Sequence, residues 1–570
     1  MANVFIKTEV KNLRCKVKVA NKKQGKSAAK LDLPQAYANL CLVNLTNLPP
    51  KKLLYLLGFG LLIRLVLAWL PEKYFFYVVY DDAYYYFSIA RNLVTRGMLS
   101  ADGLNLTNGF HPLWLFVITP IYLFFHSHHW LSIHLAVTLS AFFDVAAAFL
   151  IYKTLGNLGK PNVGFWAAAF YLVNPYGLFY TMNGLETAQN NFFLALLIFL
   201  SLKATTEWLK TRWFLLGTAC GLTLLSRTDN VFVVAVLLAY LFWRERNFID
   251  LAKTGAVAAL LVLPWLVYNF ITFGSIVQTS GTAYPFHLHQ QYLNEYQTFY
   301  SFHLIPFLLK KGFYSFVLNA YHYGNWILTL VIIGILLYRL KGWPRDYRLI
   351  LWTSVAAGLF ISFHIFFRWS VRPWYAQAVF VLTLPIVALA VEKLNRWLLV
   401  LGTVLALFPI GSDAWSPQLF RRFDRFKIML QAVKEHIPTG DRVGVFNSGY
   451  CQYFTDQKVI NLDGLVNNEV LSYYKERKGL EYFRKKDIRW LVDFAYWLEV
   501  VFGPYFGTKA ENSLEVLDAS RDSLYVNNTI LVVAVLPEGE RPIYGLPLDL
   551  EPYRDMGPYW GKIPIPFWIR

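Results

Sequence analysis

Charged residues are scarce in this chain. Only 16% of its 570 residues are Asp, Glu, Lys or Arg, whereas 56% are apolar. An ordinary soluble protein carries about 25% charged residues. The composition of this chain therefore argues against a soluble globular protein and indicates a polytopic membrane protein. The net charge of +18 is spread over a leading tail and short loops between apolar runs. This distribution is typical of membrane topology and argues against nucleic-acid binding.

Cysteine is also scarce, and nucleotide-binding loops are missing. No CxxC or CxxxC spacing joins the four cysteines, which are Cys15, Cys41, Cys220 and Cys451. This pattern indicates neither a disulfide framework nor a zinc site. The sequence has no GxxxxGK[ST] loop and no GxGxxG after a strand, so it does not suggest a nucleotide-sugar donor. The histidine cluster HSHH at 126–129 fits no common zinc spacing and is interpreted as an interfacial loop.

Long apolar runs, by contrast, are abundant. Runs of roughly 17–23 residues recur between Leu53 and Ile410, and each can cross a membrane as a helix. We therefore predict an α-helical membrane module of about eleven transmembrane helices plus re-entrant or juxtamembrane segments. The expected domains are a basic cytoplasmic tail with the composition of a disordered segment, the transmembrane module and a soluble α/β domain, covering 1–50, 51–411 and 412–570. The last of these contains the strand-like runs RVGVFN, KVINLD, RWLVDF and TILVVAVL, which begin at 442, 458, 489 and 529.

The basic loops predict which side of the membrane each segment faces. The positive-inside rule places the Lys-rich tail and the basic loops in the cytoplasm. All of them fit one side only if the Pro-containing run Pro112–His126 enters the membrane and returns to the outer side. We therefore expect a multi-pass protein of the plasma (inner) membrane, with the remaining polar segments and the C-terminal domain outside the cytoplasm.

Acidic residues mark the first candidate site. Asp81 and Asp82 follow the first long apolar run directly, in YDDAYYY, and Glu186 lies in MNGLETAQNN just before another run. Two adjacent carboxylates are costly to desolvate, so a cation, a metal or a substrate hydroxyl is expected beside them. The tyrosines can serve as interfacial anchors, and Glu186 can pair with a helix dipole. The set Asp81, Asp82 and Glu186 contains only oxygen ligands that suit Mg²⁺ or Mn²⁺, so a divalent cation is left open.

Arginines mark the second candidate site. Arg227, in LSRTDN, can hold an anion or form an internal pair with Asp229. Arg368 and Arg372 lie in FRWSVRPWYAQ, where their guanidinium groups can bind a phosphate or anchor the segment at the interface. Lys310 in the long outer loop can add to a phosphate site.

Several motifs together resemble the GT-C superfamily of integral-membrane glycosyltransferases, whose members use polyprenyl-phosphate-linked sugars. The pattern is most similar to the branch that contains bacterial cell-wall arabinofuranosyltransferases. The resemblance covers most of residues 52–470 and is carried by DDAYYY, NGFHPLW, GLETA, SRTDN, the run Asn269–Tyr284 and VINLDGLVNN. In this chain RTD stands where many relatives have Arg-Pro-Asp.

The resemblance implies an inverting transfer of a sugar from a polyprenyl-phosphate donor to an acceptor hydroxyl on the outer face. The first-loop acid that acts as base falls on Asp81 or Asp82, with Asp81 preferred, and the second acid falls on Glu186. Arg227, Arg368, Arg372 and Lys310 would hold the donor phosphate. The expected substrate-binding residues are Tyr84, Tyr85, His111, Trp114, Asp229, Trp374 and Tyr375.

Other functions remain open at the level of sequence. The acceptor can be a glycan, a lipid or a protein. An O-antigen-type ligase would share the outer arginines but usually depends on residues of a long loop. A lipid or sugar transporter would also be polytopic, although this sequence shows no repeated halves with broken helices.

Overall fold

The computed structural model describes residues 50–296, 304–308, 345–369, 371–392, 417–507, 512–520 and 529–545. Three sequence-based expectations lie outside these residues. They are the basic tail up to residue 49, the domain boundary near Gly411 and the phosphate-binding role of Lys310.

Helices make up most of the described chain before residue 440. The first eight are α1 Lys51–Ala68, α2 Glu72–Phe75, α3 Asp81–Arg96, α4 Pro112–Phe125, α5 His129–Asn157, α6 Pro161–Val173, α7 Pro175–Thr181 and α8 Thr187–Lys203. The next eight are α9 Thr206–Ser226, α10 Val231–Glu245, α11 Phe248–Phe273, α12 Thr279–Tyr296, α13 Leu304–Phe307, α14 Arg345–Phe366, α15 Pro373–Val391 and α16 Pro417–His436. A 3₁₀ turn at Thr228–Asn230 joins α9 to α10.

Four helical segments within the described ranges are long and apolar enough to cross a membrane. They are His129–Asn157, Phe248–Phe273, Tyr347–Phe366 and Pro373–Ala390. The predicted count of about eleven spans stays a prediction, because parts of the expected spans lie outside the described residues.

Helix α4 corresponds to the run expected to re-enter the membrane. It has 14 residues and contains Pro120. At 1.5 Å per residue it is about 21 Å long, which is shorter than a hydrocarbon core of about 30 Å. The helix is therefore too short to cross the membrane completely. A short helix of this kind is compatible with the predicted re-entrant segment.

The chain after α16 folds around a mixed five-stranded sheet. Its strands are β1 Arg442–Val445, β2 Lys458–Asn461, β3 Ile488–Phe494, β4 Leu514–Ser520 and β5 Ile530–Val535, and four of them coincide with the strand-like runs of the sequence. The order is β2-β1-β3-β5-β4. Strands β2, β1 and β3 are parallel, whereas β5 runs antiparallel to β3 and β4. The connecting helices are α17 Gly449–Phe454, α18 Asn468–Lys475, α19 Gly479–Lys485 and α20 Gly503–Phe506.

Alternating side chains divide the sheet into two apolar faces. Val492 and Val532 belong to a core shared with α3, α4 and α5, whereas Leu491 and Val533 belong to a separate core with Tyr474 and its neighbours. This alternation follows from the two-residue period of a strand. The described residues from Tyr55 onward therefore form one compact unit, in which one face of the sheet packs on helices of the membrane module.

A close contact between these parts joins α3 to α17. The Asp81 carboxylate accepts hydrogen bonds from the backbone N–H groups of Gly449 and Tyr450, at 3.3 and 2.8 Å. A β-carbon added to Gly449 would lie 2.2 Å from the backbone oxygen of Asp81. Only glycine allows the two backbones to come this close.

The variant Gly449→Ala tests this contact. We expect it to lower the free energy of unfolding by about 1–3 kcal/mol, because the methyl group forces α17 away from α3. The change is measured as a lower midpoint of thermal unfolding in lipid nanodiscs. Gly255→Ala is the matched control, since a β-carbon there meets no atom within 4 Å. Equal midpoints for the two variants would contradict the proposed packing constraint.

Candidate active site

One cavity of about 430 Å³ lies where the helices meet the carboxyl end of the sheet. Its lining includes residues from α3, α12 and α15, from the loops before α4 and after α9, and from the C-terminal segment. Ten residues of the predicted site line it, namely Asp82, Tyr85, His111, Glu186, Arg227, Asp229, Arg368, Arg372, Trp374 and Tyr375.

The phase of α3 decides which of its residues reach the cavity. Asp82, Tyr85 and Tyr86 are spaced i, i+3 and i+4, so they share one face of the helix, and all three line the cavity. Asp81 and Tyr84 lie on the neighbouring face, which packs on α17. The structure therefore places Asp82 in the cavity and Asp81 outside its lining.

Asp81 is bound within the protein. Its carboxylate is held by the two N–H groups of α17, and burial raises its pKa well above the usual range. Asp82 has no comparable hydrogen bond within the described part of the chain. Burial also raises the pKa of Asp82, while the nearby Arg372 guanidinium lowers it and Glu186 raises it further.

Glu186 belongs to a buried network centred on Arg227. The Arg227 guanidinium donates to Glu186 Oε1 at 2.5 Å and, through its other nitrogens, to both oxygens of Asp229 at 3.0 and 2.6 Å. Asp229 also contacts His364 Nε2 at 3.1 Å. Two carboxylates therefore neutralise Arg227, so the alternative of an internal Arg–Asp pair describes its position better than a free anion site does.

The second oxygen of Glu186 is bound as well. Tyr86 donates its hydroxyl hydrogen to Glu186 Oε2 at 3.0 Å and accepts the backbone N–H of His111 at the same distance. The His111 ring lies 3.7 Å from Glu186, and burial lowers its pKa to about 4, so the ring is neutral at pH 7. Glu186 thus joins three cavity-lining segments.

Arg368 and Arg372 are bound differently from Arg227. No carboxylate of the described residues lies within 4 Å of either guanidinium, although both line the cavity. Arg368 donates to the backbone oxygen of Ser280 at 3.2 Å and lies 5.6 Å from the Tyr375 ring. Arg372 lies 4.4 Å from the ring of Tyr284. Aromatic rings hold these two cations in place without neutralising their charge.

A divalent cation held by Asp81, Asp82 and Glu186 was left open by the sequence. Within the described ranges, no three side chains of His, Cys, Asp or Glu are grouped as metal ligands. Asp81 is held by α17 and Glu186 by Arg227 and Tyr86, so the two acids are directed to different partners.

Two predicted substrate-binding residues lie away from the cavity. Trp114 is fully buried and donates its indole N–H to the backbone oxygen of Gly184 at 3.0 Å. Tyr84 is buried among the rings of Tyr450 and Tyr453. Both side chains pack the interior, so assigning them to substrate binding needs correction.

The motifs of the sequence meet at the side chain of Asn108. Its Oδ1 accepts hydrogen bonds from Asn468 Nδ2 at 2.8 Å and from the backbone N–H of Thr279 at 3.0 Å. Next to it, a β-carbon on Gly109 would lie 1.8 Å from the backbone oxygen of Leu465. The loop before α4, the start of α12 and the C-terminal segment are thus held together beside the cavity.

Sequence reasoning did not select Asp463, which also lines the cavity. Its Oδ1 accepts the Leu465 N–H at 2.8 Å, and Tyr85 donates to its Oδ2 at 3.3 Å. Burial raises the pKa of Asp463 to about 8, so the carboxyl holds a proton at pH 7. One feature of the sequence could have identified Asp463. It lies just after a strand-like run, and parallel sheets bind ligands at the carboxyl ends of their strands.

Arg227→Ala distinguishes a structural cation from a substrate-binding one. It leaves the buried carboxylates of Glu186 and Asp229 without their cation, and we expect the free energy of unfolding to fall by about 3–5 kcal/mol. Arg372→Ala is the control, because it removes a cation that neutralises no carboxylate within 4 Å in the described chain. Thermal unfolding in nanodiscs checks both variants. A stable Arg227→Ala protein would show that the network does not hold the site together.

Comparisons with known proteins cover both parts of the chain. Residues 111–268 match the family model described as dolichyl-phosphate-mannose-protein mannosyltransferase, which is less than half of the chain. Residues 418–529 match a model described as a domain of unknown function. No curated protein matches the chain.

Solved structures with a similar arrangement share little sequence. The oligosaccharyltransferase of Archaeoglobus fulgidus in the apo form is 12% identical with a TM-score of 0.46, over 84% of this chain and 76% of its own. ArnT from Cupriavidus metallidurans bound to undecaprenyl phosphate is 13% identical with a TM-score of 0.49, over 86% of this chain and 99% of its own. The sequence match to the mannosyltransferase model remains the more specific similarity, since its range includes His111, Glu186, Arg227 and Asp229 of the cavity.

Proposed function

We propose that this chain is a membrane glycosyltransferase that moves a sugar from a polyprenyl-phosphate donor to an acceptor hydroxyl, with inversion of the anomeric centre. The observation that carries this proposal is the pairing, in one cavity, of the acid Asp82 with the cations Arg368 and Arg372. The match of residues 111–268 to a mannosyltransferase model that names dolichyl phosphate supports it. The arabinofuranosyltransferase branch stays a prediction from the motifs, and the outward-facing cavity stays a prediction from the basic loops.

The cationic end of the cavity suits the donor phosphate. The phosphate leaves with the electron pair of the bond to the anomeric carbon, so its developing charge needs preorganised cations. Arg368 and Arg372 meet this need because no carboxylate of the described chain lies within 4 Å of either guanidinium. Trp374 and Tyr375 line the same end and offer apolar faces to the sugar or the first lipid unit.

Asp82 suits the role of general base. The acceptor oxygen attacks the anomeric carbon and transfers its proton to the Asp82 carboxylate, while the bond to phosphate breaks on the opposite side. One base and no covalent intermediate give inversion, by the geometry that inverting glycosidases use. This assignment replaces the sequence preference for Asp81, whose carboxylate is already bound to α17.

Asp82→Asn is the direct test of the base. We expect transfer to fall by about 10²–10⁴-fold, because the amide cannot accept the proton, while donor binding persists. The measurement follows release of polyprenyl phosphate from a panel of polyprenyl-phosphate pentoses and hexoses by protein in nanodiscs.

Asp81→Asn is the matched control for the base. It changes the adjacent carboxyl outside the cavity lining and removes one of the two oxygens that accept from α17, so we expect a lower midpoint of thermal unfolding, with kcat/KM of the folded protein within a few-fold of the native chain. The reverse result, with Asp81→Asn inactive and Asp82→Asn active, would restore the original preference. Activity in both variants would overturn the role of the acid pair, and no release by the native chain would favour a ligase or a transporter.

The pH dependence of transfer provides a further prediction. The base acts when ionised, and burial raises its pKa, so kcat/KM should fall as the pH drops through the pKa of Asp82. Arg372 lowers that pKa, so Arg372→Gln should move the acidic limb of the profile to higher pH. Arg368→Gln is the matched control, because Arg368 is absent from the groups that shift Asp82. An acidic limb at the same pH in all three proteins would contradict Asp82 as the titrating base.

A further inference from the structure

The carboxyl ends of three parallel strands open into the cavity. Phe446 and Asn447 directly follow β1, Asp463 lies two residues beyond β2 and Trp497 three residues beyond β3, and all four line the cavity. Strand β1 lies between β2 and β3, so the next two strands of the chain lie on opposite sides of it. Open α/β sheets bind ligands at this kind of switch point, outside the carboxyl ends of their strands.

This edge combines a hydroxyl-binding group with apolar surfaces. Asp463 is fixed by Leu465 and Tyr85, and its protonated carboxyl can both donate to and accept from a hydroxyl. Trp497 and Phe502 have their rings stacked 5.7 Å apart at the same edge. A sugar ring presents hydroxyl groups at its rim and C–H groups on its face, so both parts of this surface have a counterpart in it.

The position of the edge fits the second substrate. The donor phosphate is assigned to Arg368 and Arg372, whereas Asp463 projects from the C-terminal segment and is close enough to Asp82 for the Asp82 charge to raise its pKa. An acceptor bound at Asp463 would therefore have a hydroxyl near the proposed base. Asp463 has no other role in the proposed transfer of the sugar.

We propose that the carboxyl edge of the β2-β1-β3 sheet is the acceptor site, that the acceptor is a saccharide, and that Asp463 binds one of its hydroxyl groups. This inference rests on the proposed function. It assigns the C-terminal segment a direct part in substrate recognition, with Trp497 beside the face of the acceptor sugar.

The test measures transfer and donor hydrolysis separately in nanodiscs. The donor is whichever labelled polyprenyl-phosphate sugar the native chain cleaves, and the acceptor probes are octyl glycosides of mannose, glucose, galactose and arabinofuranose and a Ser/Thr peptide. Asp463→Ala should raise the KM for the octyl glycoside by about 10–100-fold, the range expected for losing one hydrogen bond to a charged or strongly polar group. The donor KM and the slow hydrolysis of donor by water should stay within about twofold.

Two further variants separate binding from folding. Asp463→Asn keeps a donor and an acceptor at the same position, so it should retain most of the affinity that Asp463→Ala loses. Asp456→Ala removes an exposed acid of the same segment and should leave both KM values unchanged.

Several results would overturn the inference. An unchanged acceptor KM in Asp463→Ala, or an equal loss of donor hydrolysis and transfer, would remove Asp463 from acceptor binding. Donor cleavage without transfer to any glycoside, or transfer to the peptide instead, would overturn the saccharide assignment. Failure of the proposed function is recognised separately, because the native chain would then cleave no donor before any acceptor is added.

Discussion

The contact between Asp81 and the start of α17 is the constraint on which the site depends. It fixes α3 against the C-terminal segment through two N–H groups and a glycine that leaves no room for a β-carbon. Because successive residues of a helix are rotated by about 100°, binding Asp81 on one side turns Asp82 to another. The same rotation brings Tyr85 and Tyr86 to the cavity and buries Tyr84. One of two adjacent acids thus anchors the helix, and the other faces the cavity.

The arginines show a similar division between holding the site and serving it. Arg227 is enclosed by Glu186 and Asp229, and the ring of Tyr375 lies 4.6 Å from its guanidinium. Tyr375 also lies beside Arg368, so one ring contacts both a neutralised cation and one without a carboxylate within 4 Å in the described chain. A buried cation that is already paired with carboxylates binds a phosphate weakly, whereas a cavity-lining cation without a close carboxylate can stabilise its charge.

The C-terminal segment contributes to the cavity as well as covering it. Asn468 and Leu465 contact the loop of Asn108 and Gly109, and the parallel strands direct Asp463 and Trp497 inward. In the proposed reaction this arrangement brings a donor held by one part of the chain to an acceptor held by another. Positioning of that kind can supply a large share of a rate enhancement, because the entropy of bringing two substrates together is lost on binding.

The sequence by itself determined the membrane character, the strand-like runs and ten of the residues that line the cavity. Composition and apolar length depend only on local chemistry, and motifs rich in acids and arginines stand out against an apolar background. Only the tertiary structure showed that Asp82 lines the cavity and Asp81 does not, since the two are adjacent in sequence and differ by about 100° of helical rotation. Only it showed Arg227 neutralised, Trp114 and Tyr84 buried, and Asp463 in the cavity. Those outcomes depend on contacts between residues tens to hundreds of positions apart, such as the bond between Tyr85 and Asp463, and no local pattern specifies such contacts.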